Sequence, residues 1–210
     1  MKPKLRLSLK IVLSVLALSI VISGGVYGYK TLRKYLFLDN FGVVENGRIY
    51  RSGQLLPFQL DKVISEYGIK TIIRANIPEL SAKSRVLEKT ICEKHNIQII
   101  AIVMPGDGLG SFEQYDKAVE ILRNPDNLPA LVCCARGTHR TGAIIAGYRV
   151  FVQNWPVNKA LKEMENYRFR PFPHRRKGKE HPLLPHLRAY FRSRLPGGLT
   201  PGLVRVSSIF

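Results

Sequence analysis

The chain has 210 residues, enough for one domain of about 150 to 170 residues with a proper core, plus appendages. Thirty-three Lys and Arg against fifteen Asp and Glu give a formal charge of +18, which implies an anionic partner: nucleic acid, an acidic membrane surface or a polyanionic substrate. Three cysteines are too few for a disulfide framework, no Cys/His spacing marks a zinc site, and no stretch reads as a nucleic-acid motif.

Residues 1–10 form a basic flank with Lys2, Lys4, Arg6 and Lys10. Residues 11–29 then run without a charge, rich in Ile, Val and Leu, and Lys30, Arg33 and Lys34 close the run. A helix of that length rises roughly 28 Å, close to the hydrocarbon thickness of a bilayer, so the run reads as a single-pass transmembrane anchor. The competing reading is a cleaved signal peptide, because Ser23-Gly24-Gly25 supplies small residues. The slight excess of positive charge before the run favours an inside N-terminus, and hence the rest of the chain on the non-cytoplasmic side. Residues 30–42 read as a linker.

From residue 43 to residue 195 strand and helix signals alternate. Gly47 to Gln54 reads as a short strand ending in a turn, and Pro57 opens a helix that Gly68 stops. Residues 69–75 form a strand and residues 81–95 a helix. Residues 97–103 are a nearly continuous apolar strand, as in a covered parallel sheet. Residues 111–123 form a helix with Ser111 and Gln114 spaced as a capping box. Residues 131–133 form a strand, an apolar helix comes next over residues 143–152, and a last helix is expected over 182–195. The fold class is α/β, a central, mostly parallel sheet flanked by helices and preceded by one N-terminal transmembrane helix. Residues 196–210, with their Gly and Pro, read as a loose tail.

The organising stretch is Cys133-Cys134-Ala135-Arg136-Gly137-Thr138-His139-Arg140-Thr141-Gly142, between a strand and a helix. Free N–H groups and the dipole at a helix N-terminus hold an anion. Gly137 lets the backbone turn its amides inward. The same field stabilises Cys134 as the thiolate, the form that attacks. Arg140 offers a planar fork matched to two phosphate oxygens. Ala135, Arg136, Gly137, Thr138 and His139 line the loop; Arg136 and His139 either meet further phosphate oxygens or form an exposed rim. A vicinal Cys133–Cys134 disulfide would be strained, since adjacent Cα atoms lie only about 3.8 Å apart.

Cys-x5-Arg-Thr-Gly in this setting resembles the cysteine-dependent tyrosine and dual-specificity phosphatase family. Tyr50-Arg51-Ser52-Gly53-Gln54 resembles the opening motif of its bacterial, membrane-anchored or exported members, and Gly147-Tyr148-Arg149-Val150 and Trp155 with Ala160 to Met164 extend the likeness over roughly residues 43–170. The resemblance implies a dual-specificity phosphatase-like domain and a phosphomonoester hydrolase acting through a cysteinyl-phosphate, with no metal and no cofactor. It implies that Thr141 hydrogen-bonds the departing thiolate, unless Thr141 merely satisfies its own helix turn. One departure is Cys133, where the family usually has His.

Asp107, in Met104-Pro105-Gly106-Asp107-Gly108-Leu109-Gly110, comes after a strand and so opens at the same sheet edge. It is the candidate general acid and base, the alternative being a solvent-facing turn residue, and flanking glycines suit a loop that moves. Asp116 is its rival but reads as a solvent-facing helix residue. Beyond Asn166, ten Lys and Arg face Glu180 alone, with Arg168, Arg170, His174, Arg175, Arg176, Lys177 and Lys179 clustered. That segment is either a solvated face or a dock for anionic lipid or an acidic substrate. The expected substrate is a phosphorylated protein; a phospholipid or inositol phosphate is the alternative, and a bacterial inner membrane the expected setting. Two other classes compete: an inactive phosphate-binding membrane scaffold, and a rhodanese-like sulfurtransferase, which gives no reason for Arg-Thr-Gly at these spacings.

Overall fold

The structure, a computed structural model, describes residues 3–77, 81–174 and 177–195, with side chains for all but 3–12, 30 and 31. Two compact units divide the chain between Leu38 and Asp39. In the first, helix α1 runs Pro3–Leu36 and continues through the basic stretch read from sequence as the start of a linker. Lys, Arg, Leu and Tyr extend a helix as readily as they leave one, and no Gly or Pro stands between Lys30 and Leu36 to stop it. Within Leu13–Leu36 an 18-residue stretch has a mean hydropathy of 1.4, and the helix is long and apolar enough to cross a membrane by length and composition.

The second unit carries a five-stranded sheet in the order β1-β2-β5-β3-β4. The strands are β1 (Gly42–Glu45), β2 (Ile49–Ser52), β3 (Thr71–Arg74), β4 (Gln98–Ala101) and β5 (Ala130–Cys133). All neighbours are parallel except β1 and β2, which form an antiparallel pair with a bulge between Val43 and Glu45. The helices are α2 (Pro57–Tyr67), α3 (Ala82–Lys94), α4 (Phe112–Arg123), α5 (His139–Phe151), α6 (Val157–Asn166) and α7 (Leu183–Arg194).

Local chemistry sets the helix ends. Gly68 ends α2 in the left-handed conformation at φ 61°, Ser81 caps α3, and Ser111 with Gln114 forms the expected capping box on α4. The two-residue period of the strands sorts the core. Ala130 and Val132 of β5 and Ile73 of β3 pack into one cluster with α4, α5, α6 and α7. Leu131 faces the other way, lining a recess with Leu60 of α2 and Glu88 of α3. Helix α5 is buried continuously from Thr141 to Val150, and Arg149 fastens it to α6 with two bonds to Glu163 at 3.0 and 2.6 Å.

One strand departs from expectation. The apolar run 97–103 yields β4 at the sheet edge, with Ile99 42% exposed, not a covered interior strand. The apolar run extends past the end of β4 because Ile102 and Met104, in the connection to α4, turn into the core.

The register brings the site together. Cys133 ends the central strand opposite Ser52 and Arg74, so the chain beyond it leaves from the carboxyl edge of three adjacent parallel strands. In an open parallel sheet that crevice is the ligand site.

Candidate active site

The loop from Cys134 to Thr138 leaves β5 and winds straight into α5, which starts at His139, four residues before the helix expected from sequence. Arg140 and Thr141 therefore sit in its first turn. The carbonyls of Ala135 to Thr138 are each taken up by a donor. Ala135 O accepts from Gln54 N at 3.2 Å and Thr138 O from Gly142 N at 3.1 Å. Arg136 O accepts from Asn40 Nδ2 at 3.1 Å, and Gly137 O accepts from Asn40 Nδ2 at 3.0 Å and from Arg51 at 2.6 Å. With these carbonyls held outward, the amides are left to the interior of the loop.

Gly137 is required twice over. Its φ of 64° is left-handed, and a Cβ there would lie 2.6 Å from both Gly53 N and Ser52 C. The loop thus lies directly against the end of β2.

Cys134 is 2% exposed at the centre of this cradle. Burial opposes ionisation of its thiol, but the Thr141 hydroxyl and amide, the Arg136 amide and the Arg140 charge together outweigh it and hold the pKa below the ordinary thiol value. Thr141 Oγ1 is fully buried and has no hydrogen-bond partner among the described residues. Its influence falls on Cys134, whose thiol it helps to hold below the ordinary value. Arg140 donates to Met104 O at 3.4 Å, while its buried Nε has no partner among the described residues.

Arg136 is exposed and His139 half-buried. His139 does not form an open rim: it stacks on His181 with ring centroids 4.8 Å apart and meets the edge of Phe169 at 5.6 Å. Burial and the His181 charge lower the His139 pKa, against a smaller opposite pull from Asp107. Asp107 itself is exposed, with Oδ1 accepting from Leu109 N at 3.1 Å in a tight turn. The base of its loop is tied down, not free: Gly110 N donates to Tyr115 Oη at 3.0 Å, Tyr115 donates to Gly108 O, and His186 meets Gly110 O at 2.8 Å.

Three residues singled out in the sequence have partners that it did not reveal. Asp116, partly exposed on α4, accepts from Tyr190 at 2.8 Å and from Arg194 Nε at 3.0 Å, so its oxygens serve the packing of α7 on α4. Arg168 stays exposed and pairs with Asp39 at 2.7 Å. Cys133 is buried beside the Arg74–Glu88 ion pair, and burial pushes its thiol up to about 11. Arg175, Arg176 and the tail 196–210 lie outside the described residues. Sequence reasoning missed Arg51 and Asn40 as parts of the site; only the Tyr-Arg-Ser-Gly motif pointed near them.

A parallel α/β sheet whose central strand delivers a depressed cysteine into an amide-lined loop, with an arginine in the next helical turn, defines a cysteine phosphatase fold. The profile of the tyrosine phosphatase family matches residues 35–179, and the chain belongs to that family. It is 28% identical over 133 residues to the OCA1 protein of Yarrowia lipolytica, provisionally named a tyrosine-protein phosphatase. That match covers 61% of this chain and 50% of the relative, so the chain spans half the length of that protein. A 53-residue stretch is 43% identical to the inositol diphosphatase SIW14 of Saccharomyces cerevisiae, covering 25% of this chain and 18% of that protein. The structure of the core catalytic domain of that PP-IP phosphatase superposes with a TM-score of 0.55 at 27% identity, over 63% of this chain and 77% of that one. These relatives are fungal, and they do not single out a bacterial branch.

Proposed function

We propose that the protein hydrolyses phosphomonoesters through a cysteinyl-phosphate intermediate. The observation that carries this is the Cys134 thiol held below its ordinary pKa inside a loop whose carbonyls, from Ala135 to Thr138, are drawn away from it. The thiolate attacks phosphorus, forming the S–P bond as the ester P–O bond breaks, and Asp107 protonates the departing oxygen. Arg140, whose buried Nε is unpartnered among the described residues, supplies with the loop amides the donors for the three equatorial oxygens. Water then attacks phosphorus, Asp107 takes its proton, and the S–P bond breaks while the Thr141 hydroxyl receives the returning thiolate. Inorganic phosphate leaves.

The test is turnover of an aryl phosphate by the full chain and by Cys134→Ser, together with trapping of a phosphorylated Cys134 in the rapidly quenched parent. Turnover surviving in pure Cys134→Ser protein removes the cysteine from the reaction. An inactive scaffold would bind phosphate and release none.

The substrate is a phosphorylated protein or, as a second reading, an inositol phosphate or anionic phospholipid. The likeness to an inositol diphosphatase and the exposed Arg136 on the loop favour the second. Rates on phosphotyrosine peptide, inositol phosphates and phosphoinositide vesicles, measured side by side, decide between them. The apolar helix anchors the catalytic unit to a membrane, on the non-cytoplasmic side by its flanking charge. Reporter fusions after residue 40 test this: a reporter active only in the cytoplasm reverses the orientation, and a soluble exported product makes the helix a signal sequence.

A further inference from the structure

Arg51 is a cation in an unusual place. It is 1% exposed, stands third in the four-residue strand β2, and among the described residues pairs with no carboxylate. One guanidinium nitrogen donates to Gly137 O at 2.6 Å, the flat face lies 3.6 Å from the Tyr167 ring centroid, and Nε has no partner among the described residues. Burying a charge without a counter-ion costs far more than one hydrogen bond returns, so such a group persists where its charge is used. Burial lowers its pKa to about 10, still charged at neutral pH, with Tyr167, Glu163 and the Cys134 thiolate supporting the charge and Arg149 opposing it.

Asn40 works on the same atoms from the other side. Buried, with φ 51°, it directs Nδ2 at Arg136 O, Gly137 O and Tyr167 O, at 3.1, 3.0 and 3.0 Å. Tyr167 thus joins the two, giving its ring to Arg51 and its carbonyl to Asn40.

We propose that Arg51 and Asn40 are positioning residues: a donor clamp behind the phosphate loop that pulls the Arg136 and Gly137 carbonyls outward and so aims the loop amides at the phosphoryl group on Cys134. This deepens the phosphatase reading and rests on it. The backbone alone would let these peptides flip, since Gly137 tolerates either sense. The clamp removes that freedom before substrate arrives, and preorganised donors need no rearrangement at the moment of reaction. Arg51 adds a second role through its charge, which favours the thiolate together with Arg140.

The experiment measures how inorganic phosphate protects Cys134 from iodoacetamide in the full chain, read by mass spectrometry of the labelled peptide, as a function of pH. It needs no turnover. Thermal melts establish that each variant is folded. In Asn40→Ala and Arg51→Gln, the phosphate concentration giving half-protection should rise about tenfold, the effect of losing one hydrogen bond to a poised group. Arg51→Gln should also move the alkylation profile to higher pH, and Arg51→Lys should restore that profile while leaving phosphate protection weak, since it returns the charge without the planar group that stacks on Tyr167 and is aimed at Gly137 O. Folded Arg51→Gln with parental protection and parental profile overturns the clamp. Should Arg51→Gln not fold, parental protection in Asn40→Ala overturns it. A parent that is protected by phosphate yet turns over no ester would sink the phosphatase reading and leave the clamp to these same measurements.

Discussion

Replacing Gly137 by alanine puts the geometry of the loop to a quantitative test. The added Cβ would sit 2.6 Å from Gly53 N and Ser52 C and 2.7 Å from Ser52 O, all backbone atoms of β2 and its turn that have no rotamer to give way. Relief requires the loop to retreat by about 0.8 Å to reach ordinary contact, and a misplacement near 1 Å costs on the order of 10²-fold in a catalytic step. The left-handed φ of 64° adds about 1–2 kcal/mol of strain for a residue with a Cβ. We expect kcat/KM on an aryl phosphate to fall on the order of 10²-fold. Phosphate protection of Cys134 should weaken in parallel, and the melting temperature should fall. Steady-state kinetics, the alkylation assay and a thermal melt read all three. A folded Gly137→Ala protein within about threefold of the parent in kcat/KM, far short of that loss, would refute the placement of the loop against β2.

Single contacts carry further expected outcomes. Thr141→Ala should slow breakdown of the cysteinyl-phosphate more than its formation, by about tenfold or more for a lost bond to a charged sulfur, seen as a larger pre-steady-state burst; equal slowing of both steps makes Thr141 a packing residue. Asp107→Asn should cost on the order of 10²–10⁴ on esters with poor leaving groups and little on activated aryl esters; uniform slowing would leave it a turn residue. The thiol of Cys134 is depressed, whereas burial pushes those of Cys92 and Cys133 up to about 11, so near neutral pH only Cys134 should be alkylated, and label on Cys133 would contradict the assignment. Neutralising Lys177 and Lys179, both exposed, should raise KM on anionic vesicles at low salt and lose its effect at high ionic strength; a salt-independent change would place their role elsewhere.

How far the sequence disclosed this arrangement depended on the range of the interactions involved. Caps were legible because they are local: Ser111 reaches Gln114 within one turn, and Gly68 answers a left-handed φ at its own position. The loop at Cys134 was legible because strand, turn and helix are consecutive, and the fold class came from their alternation. Strand β1 escaped notice, being four residues with a bulge and no alternation to read. The bonds of Asp116 stayed hidden because its partners Tyr190 and Arg194 are 74 and 78 residues away. The same distance hid the role of Arg51, whose acceptor Gly137 lies 86 residues further along the chain. A charge in a strand looks like an exposed position until the tertiary structure supplies the carbonyl it serves.

The position of Asn40 has a practical consequence for anyone preparing a soluble enzyme. The natural place to cut away the apolar helix would be just before the first strand, at Gly42. That cut discards Asn40, with its three bonds to loop and Tyr167 carbonyls, and Asp39, whose carbonyl accepts from Gly53 N at 2.6 Å and whose carboxylate holds Arg168. A fragment starting there would keep every residue of the Cys-x5-Arg motif and lose these contacts to the loop, so low activity in it would not speak for the intact chain. A fragment starting at or before Leu38 retains both residues.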